Sequence, residues 1–407
     1  MLYIYTAKTK EGETEAGQSE AANDYELAAF LRKQGLVLIS AKLAEIEETT
    51  DRFNFKKFVE QFGHISLVEK MMFSRNLAIM IKAGLSLNQA LNVLAQQTKS
   101  PKFKKIISRI ATDIQQGKSF SESLSKHPKV FNDLYVNMVK IGETSGNLNE
   151  ILRSLAEQMK KDHDLISRVR GAMIYPAVII AAMIGIGIIM MIVVVPKLTE
   201  VFVEMKIELP LSTRVIIGVS NFLQHNLIFS FIFLSVFIFF ARLSMRIKSV
   251  KKFLHNIILH LPIFGSLSRK INSARFARNF SSLVESGVAI VKSLEITAGT
   301  LSNLYFKESL IASAQQVKKG KELSETLSCY TNLYAPMIIQ MTSVGEKTGD
   351  LAGILNNLAD FYEEEIDNIT KNLSSIIEPI IMLVVGAAVG FFAISMIQPM
   401  YSMMGGV

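Results

Sequence analysis

Three stretches of the chain are almost wholly apolar: residues 174–195, 215–241 and 376–398. None contains Lys or Arg, and each is long enough to cross roughly 30 Å of hydrocarbon as a helix. The pattern predicts three transmembrane helices. Asn221, Gln224, His225 and Asn226 interrupt the second stretch. Its continuous part is therefore residues 227–241, and the upstream part either extends the span or lies in the outer interface.

Elsewhere the apolar positions recur with helical spacing. Ser66, followed three residues later by Glu69, has the form of a capping box, and Leu77, Met80, Ile81, Leu85, Leu87, Leu91 and Leu94 follow it. Pro101 restarts a helix through Phe103 to Gln116, Gly117 and Pro128 punctuate, and Gly142–Gly146 separates two further helices. Strand patterns are nearly absent from residues 66–172 and 269–375, so each segment is expected to be a bundle of about six helices. The first 42 residues differ. Residues 2–7 alternate as a strand does, Lys10-Glu11-Gly12 forms a turn, and Ala21–Gln34 is helical with Leu27, Ala28, Phe30 and Leu31 near one face. Gly35 stops that helix. Residues 44–62, with Phe53, Phe55, Phe58 and Phe62 among charges, form a linker.

The chain also contains itself twice. At an offset of 203 residues, positions 75–200 and 278–403 share 29 identities in 126 without a gap. Arg75-Asn76 falls on Arg278-Asn279, Gly142-Glu143 on Gly345-Glu346, Gly146 on Gly349, Pro176 on Pro379 and Pro196 on Pro399. The duplicated unit is a soluble bundle followed by one span. The second apolar stretch has no counterpart in the duplication and acts as a return helix. The expected fold class is thus an all-α membrane protein: two tandem homologous helical bundles, each followed by a transmembrane helix, one extra return helix and a small N-terminal α/β unit. The expected boundaries are 1–45 for the N-terminal unit, 46–65 for a linker, 66–172 for the first bundle and 173–196 for its span. They continue with a loop at 197–214, the return span at 215–241, a basic connector at 242–268, the second bundle at 269–375, its span at 376–398 and a tail at 399–407.

The net charge of +8 speaks first to orientation. Lys160, Lys161, Arg168 and Arg170 precede the first span, and Arg242, Arg246, Lys248, Lys251 and Lys252 follow the second. In the 196–214 loop, Lys197, Lys206 and Arg214 are offset by Glu200, Glu204 and Glu208. Basic flanks stay in the cytoplasm. The N-terminus and both bundles are expected there, with the 196–214 loop and C-terminal tail outside. The basic stretch after the second span is read as a contact with anionic lipid and not with nucleic acid. Met1–Lys8 lacks the pattern of a cleaved signal peptide, so insertion is expected to use the internal spans. Cys329 is the only cysteine, which excludes an intrachain disulfide.

No catalytic constellation is found. No glycine-rich loop leads into Lys-Ser or Lys-Thr, no Gly-x-Ser-x-Gly elbow exists, and the six histidines are scattered. No enzyme, metal or cofactor is expected. Four features remain as candidates. Glu143 and Glu346 either meet a partner protein or a cation, or cap the helix that follows them. Gly142, Gly146, Gly345 and Gly349 permit positive φ in tight turns around those glutamates. Pro176 and Pro379 each remove a helical hydrogen bond near the entry to a span and favour a bend, and Glu378 is an ionisable group at that same membrane edge. Asp360, Glu363, Glu364, Glu365 and Asp367 form an acidic segment that is either a solvated face or a contact for a basic partner.

Taken in order, these features resemble the type II secretion system F family. Tyr5-x-Ala7, Gly12, Gly17, Ala28, Leu31-Arg32 and Gly35 look like the family's opening unit. Arg75 with Gly84 and Arg278 with Gly287 resemble the starts of its two repeats. Gly142-Glu143-x-x-Gly146-x-Leu148 and Gly345-Glu346-x-x-Gly349-x-Leu351 resemble its most recognisable motif. The resemblance implies a non-enzymatic platform in the bacterial inner membrane, homo-oligomeric, beside other inner-membrane assembly proteins. It would couple a cytoplasmic assembly ATPase to polymerisation of pilin or pseudopilin subunits. Two rival readings are a small secondary transporter, since transporters also carry internal repeats, and a membrane-anchored adaptor. One span per repeat leaves the first little to line a pathway, and the second lacks an output domain.

Overall fold

A computed structural model describes residues 2–8, 14–21, 23–43, 65–204, 209–245 and 247–404. The predicted turn at residues 10–12 and nearly all of the 46–65 linker lie outside these residues. The chain divides into two units, residues 1–63 and 64–407.

In the first unit, β1 (Leu2–Lys8), β2 (Thr14–Glu20) and β3 (Val37–Leu43) form an antiparallel sheet in the order β2-β1-β3. Helix α1 (Asp24–Lys33) starts at Asn23, whose side chain accepts a hydrogen bond from Glu26 N–H at 2.9 Å. Leu27 and Leu31 of α1 are buried with Tyr3, Ala7 and Leu36, whereas Phe30 points outward. The sequence pattern predicts only the first of these strands. β2 (Thr-Glu-Ala-Gly-Gln-Ser-Glu) lies at the sheet edge and has almost no apolar face to announce it.

The second unit opens with α2 (Leu67–Lys82), α3 (Leu87–Gln97), α4 (Pro101–Gln115), α5 (Phe120–Ser125) and α6 (Asp133–Ser145). The Ser66–Glu69 capping box forms at α2, and a second one, Ser86–Gln89, starts α3. Helix α7 (Leu148–Ile189) closes the bundle with its first half and continues through one π turn (Met190–Val194) into α8 (Val195–Glu204). Then come α9 (Leu211–His225), α10 (Leu227–Ser244) and α11 (Lys248–His260). The second bundle comprises α12 (Phe264–Glu285), α13 (Ile290–Thr300), α14 (Leu304–Val317), α15 (Leu323–Ser328), α16 (Pro336–Thr348) and the long α17 (Leu351–Met404).

Each bundle has its own core, and the two cores are stitched together. Leu283 and Ile296 of the second repeat pack into the cluster around Phe73, Phe103 and Phe131 of the first. Leu165 of the first repeat packs into the cluster around Phe276, Phe306 and Tyr334. Helices α7 and α17 run side by side in the same direction: Lys161 pairs with Asp360, Arg168 with Asp367, and further on Val195 shares a cluster with Met396.

Two runs among the described residues are long and apolar enough to cross a membrane, 148–204 and 351–399. Their apolar side chains face outward, with Ile186 60% and Leu383 75% exposed. The expected single span at 215–241 is instead two helices that meet at Asn226 (φ −128°, ψ 38°). The polar run Asn221–Asn226 marks the joint. Helix α10, 18 residues long, is apolar, whereas α9 buries Thr213, Ile216, Ile217 and Ser220 against its neighbours.

Candidate functional site

Glu143 sits in the last turn of α6, not in an exposed loop, and is half-buried. Its two carboxylate oxygens accept the backbone N–H groups of Phe120 and Ser121, at 2.5 and 2.9 Å. Those are orphan donors at the start of α5. Glu346 of α16 does the same for Leu323 and Ser324 at the start of α15, again at 2.5 and 2.9 Å. Each glutamate therefore caps a short helix about twenty residues upstream, and not the helix that follows. A carboxylate at a helix N-terminus is favoured both by the amides and by the helix dipole. Of the two readings of these glutamates, the geometry favours capping, though of the upstream helix: both oxygens of each side chain accept backbone amides inside the bundle.

The four motif glycines divide into two kinds. Gly146 and Gly349 end α6 and α16 in the left-handed region, φ 75° and 77°. Gly142 and Gly345 lie within the helices at ordinary φ, which departs from the predicted positive φ. They are buried because the next helix crosses there. A Cβ on Gly142 would come within 3.1 Å of Ile151 and of the Leu148 backbone, and one on Gly345 within 2.9 Å of the Leu351 backbone.

The seam between the bundles is polar. Arg278 of α12 is 8% exposed. It donates to Glu363 Oε1 at 3.0 Å and also to Asn356 Oδ1 and Asp360 Oδ1, all on one face of α17. Burial alone would lower its pKa; the hydrogen bonds and charges of Glu363 and Asp360 outweigh burial and hold it above the usual arginine value. Lys161 of α7 reaches the same Asp360 at 2.7 Å, and Arg275 reaches Asp162 at 2.6 Å. The acidic segment 360–367 is thus in large part an internal contact: Asp360, Glu363, Glu365 and Asp367 all have cationic partners. The signal that points to Arg278 is its repetition as Arg75-Asn76 and Arg278-Asn279. Sequence reasoning used it to align the repeats and assigned it no role.

Pro176 is buried within α7, while Glu378 and Pro379 are exposed within α17, and the helix runs on through both prolines. A different pair of repeated prolines organises the far end. A proline leaves the carbonyl four residues before it without its helical donor. Pro196 does this to Ile192. The π turn adds Met191, because Val195 N–H bonds to Met190 instead. Both carbonyls are taken by α9: Gln224 Nε2 donates to Ile192 O at 2.7 Å, and Ser220 Oγ to Met191 O at 2.5 Å. Pro399 frees Ser395, the repeat equivalent of Ile192, and Thr213 Oγ1 of the same helix donates to Ser395 O at 2.5 Å. Helix α9 therefore clasps both long helices at equivalent carbonyls. Thr213, Ser220 and Gln224 recur at helical spacing, a polar stripe that periodicity alone would have revealed.

Comparison with known proteins agrees with this architecture. A family model described as Type II secretion system (T2SS), protein F, matches residues 73–196 and again 276–399, at the repeat offset. One described as Type II secretion system protein F, N-terminal domain, matches residues 1–42. The chain is 36% identical to the type IV pilus assembly protein PilC of Thermus thermophilus, over 99% of this chain and 98% of that protein. It is 33% identical to PilC of Myxococcus xanthus, over 100% and 95%. To the type II secretion system protein F of Vibrio cholerae it is 28% identical, over 98% of each.

Proposed function

Because the chain belongs to the type II secretion system protein F family, we propose that it is an inner-membrane platform of a pilus-assembly or secretion machine, without turnover of its own. It couples a cytoplasmic assembly ATPase to the polymerisation of pilin-like subunits. The observation that carries this reading is the parallel course of α7 and α17, stitched by Lys161–Asp360 and Arg168–Asp367. Two parallel helices that enter the membrane from fused bundles leave both bundles on one side of it. There a single motor can reach both. The helix α10 returns the chain across the membrane between the repeats, and the basic stretch from Arg242 onward holds that end at the cytoplasmic leaflet. Glu143 and Glu346 contribute through the short helices they hold in place and not through direct contact.

Co-purification from native membranes tests the proposal. Recovery of an assembly ATPase with the full-length chain is expected, and the accompanying pilins identify the system served. Solute transport by the purified chain in liposomes, or ATP hydrolysis by the chain alone, would overturn the platform reading.

A further inference from the structure

Helix α11 has inverted amphipathicity. A helix on the surface of a bundle normally turns its apolar stripe to the protein and its charges to water. On α11 the side toward the protein carries Lys248, Lys252 and His255 beside the buried Leu259. Lys248 and Lys252 both pair with Glu308 of α14, at 3.4 and 2.7 Å, and Lys252 also lies over the Tyr305 ring. His255 Nδ1 accepts the Leu304 N–H at 3.0 Å. The opposite side carries Val250, Phe253, Leu254 and Ile257, with Leu261 just past the helix end, at steps of three and four residues. Phe253 is 64% exposed, and Ile257 and Leu261 are exposed with it. Both ends of α11 are tied to the membrane side of the molecule. Residues 245–247 link it to α10 and reach about 14 Å at most. At the other end Phe264 N–H donates to Pro262 O at 2.7 Å, with Ile263 at φ 67°, in a tight turn into α12. Helix α12 runs antiparallel to α17, since Arg278 pairs with Asp360 but Lys270 with Glu365. The start of α12 therefore points toward the apolar part of α17.

From this arrangement we infer that α11 lies in the plane of the membrane at the cytoplasmic leaflet and seats Phe253, Ile257 and Leu261 among the lipid acyl chains. It is an interfacial helix between the return span and the second bundle, 13 residues and about 20 Å long. Lipid is favoured over a protein occupant because the face continues the outer surface of α10: Leu243, Met245 and Ile247 between them are exposed as well. Attraction of basic groups to anionic headgroups is not the main force. Two of the three lysines of α11 are engaged by Glu308, and the outward face itself is apolar. Burial of that face supplies the binding. The inference rests on the proposed crossing of the membrane by α10.

The chain contains no tryptophan, so Phe253→Trp introduces a single fluorescent reporter on this face. The full-length variant is placed in nanodiscs of phosphatidylcholine, a zwitterionic lipid, brominated either near the headgroup or near the end of the acyl chain. Blue-shifted emission is expected, with a loss of intensity that is larger for the shallow bromines and little quenching by acrylamide in the water. Phe237→Trp, in the middle of α10, is the reference and should lose more intensity to the deep bromines. Should Phe253→Trp fail to fold, Ile257→Trp on the same face carries the test. Quenching of the Phe253→Trp signal by acrylamide and not by bromine would place the face in water and overturn the inference. Protection from both quenchers would mean that protein covers the face, and would overturn it too. In either case bromine quenching of the Phe237→Trp signal would leave the α10 crossing standing. Escape of the Phe237→Trp signal from bromine would remove that crossing and the inference with it.

Discussion

At residues 143 and 346 one carboxylate bridges two backbone amides of a helix six residues long. Truncation there leaves both amides without an acceptor. Glu143→Ala is therefore expected to cost about 1–3 kcal/mol, and Glu143→Gln, which keeps one acceptor oxygen, less. Thermal melts of the full chain followed by circular dichroism check this; equal midpoints for wild type and Glu143→Ala would reject the capping role. A second carboxylate sets a pH dependence. Hydrogen bonds from Lys118 and Lys126, at 2.6 and 2.8 Å, hold Asp113 at a pKa of about 2, below its ordinary 3.8. A depressed carboxylate pKa means stability present above the ordinary value and lost as pH falls toward the folded one. The gap in melting temperature between wild type and Asp113→Asn should thus be present at neutral pH and narrow between about pH 4 and 2. A gap independent of pH over that range would reject the assignment.

At the scale of elements, the long-range contacts explain what was legible and what was not. Leu77, Leu91 and Leu94 are buried as their spacing predicts, and Ser66 with Glu69 forms the predicted cap. These depend on neighbours within one or two turns. The partner of Glu143 lies more than twenty residues upstream, and the nest around Arg278 closes with residues 78 to 85 positions away. Neither distance follows from local periodicity. Hydropathy likewise marks residues 215–223 as apolar but does not say that Thr213, Ser220 and Gln224 face freed carbonyls. That role has its own test. Gln224→Leu and Thr213→Val keep the apolar character of α9 and remove the donors. The double variant is expected to insert normally and to melt earlier in detergent, by about 1–2 kcal/mol, on the scale of hydrogen bonds between helices in a membrane. An unchanged melt would mean that the Gln224 and Thr213 hydrogen bonds do not hold α9 in place.

At the scale of the whole molecule, fused cores and parallel long helices make the two repeats one body. Reporter fusions after Lys270 and Lys161 should both report the cytoplasm, and fusions after Glu204 the opposite side. Opposite signals at Lys161 and Lys270 would be incompatible with the parallel helices. The clasp adds a mechanical consequence. Two rods pinned to one another at a single height can scissor; pinned at two heights they cannot. The ion pairs at Lys161–Asp360 and Arg168–Asp367 fasten the rods near the bundles, and α9 fastens them again at Ile192 and Ser395. Torque applied to the bundles is then not lost as splay between the shafts. Under the platform proposal it would arrive at the α9 end of the shafts as rotation of the pair.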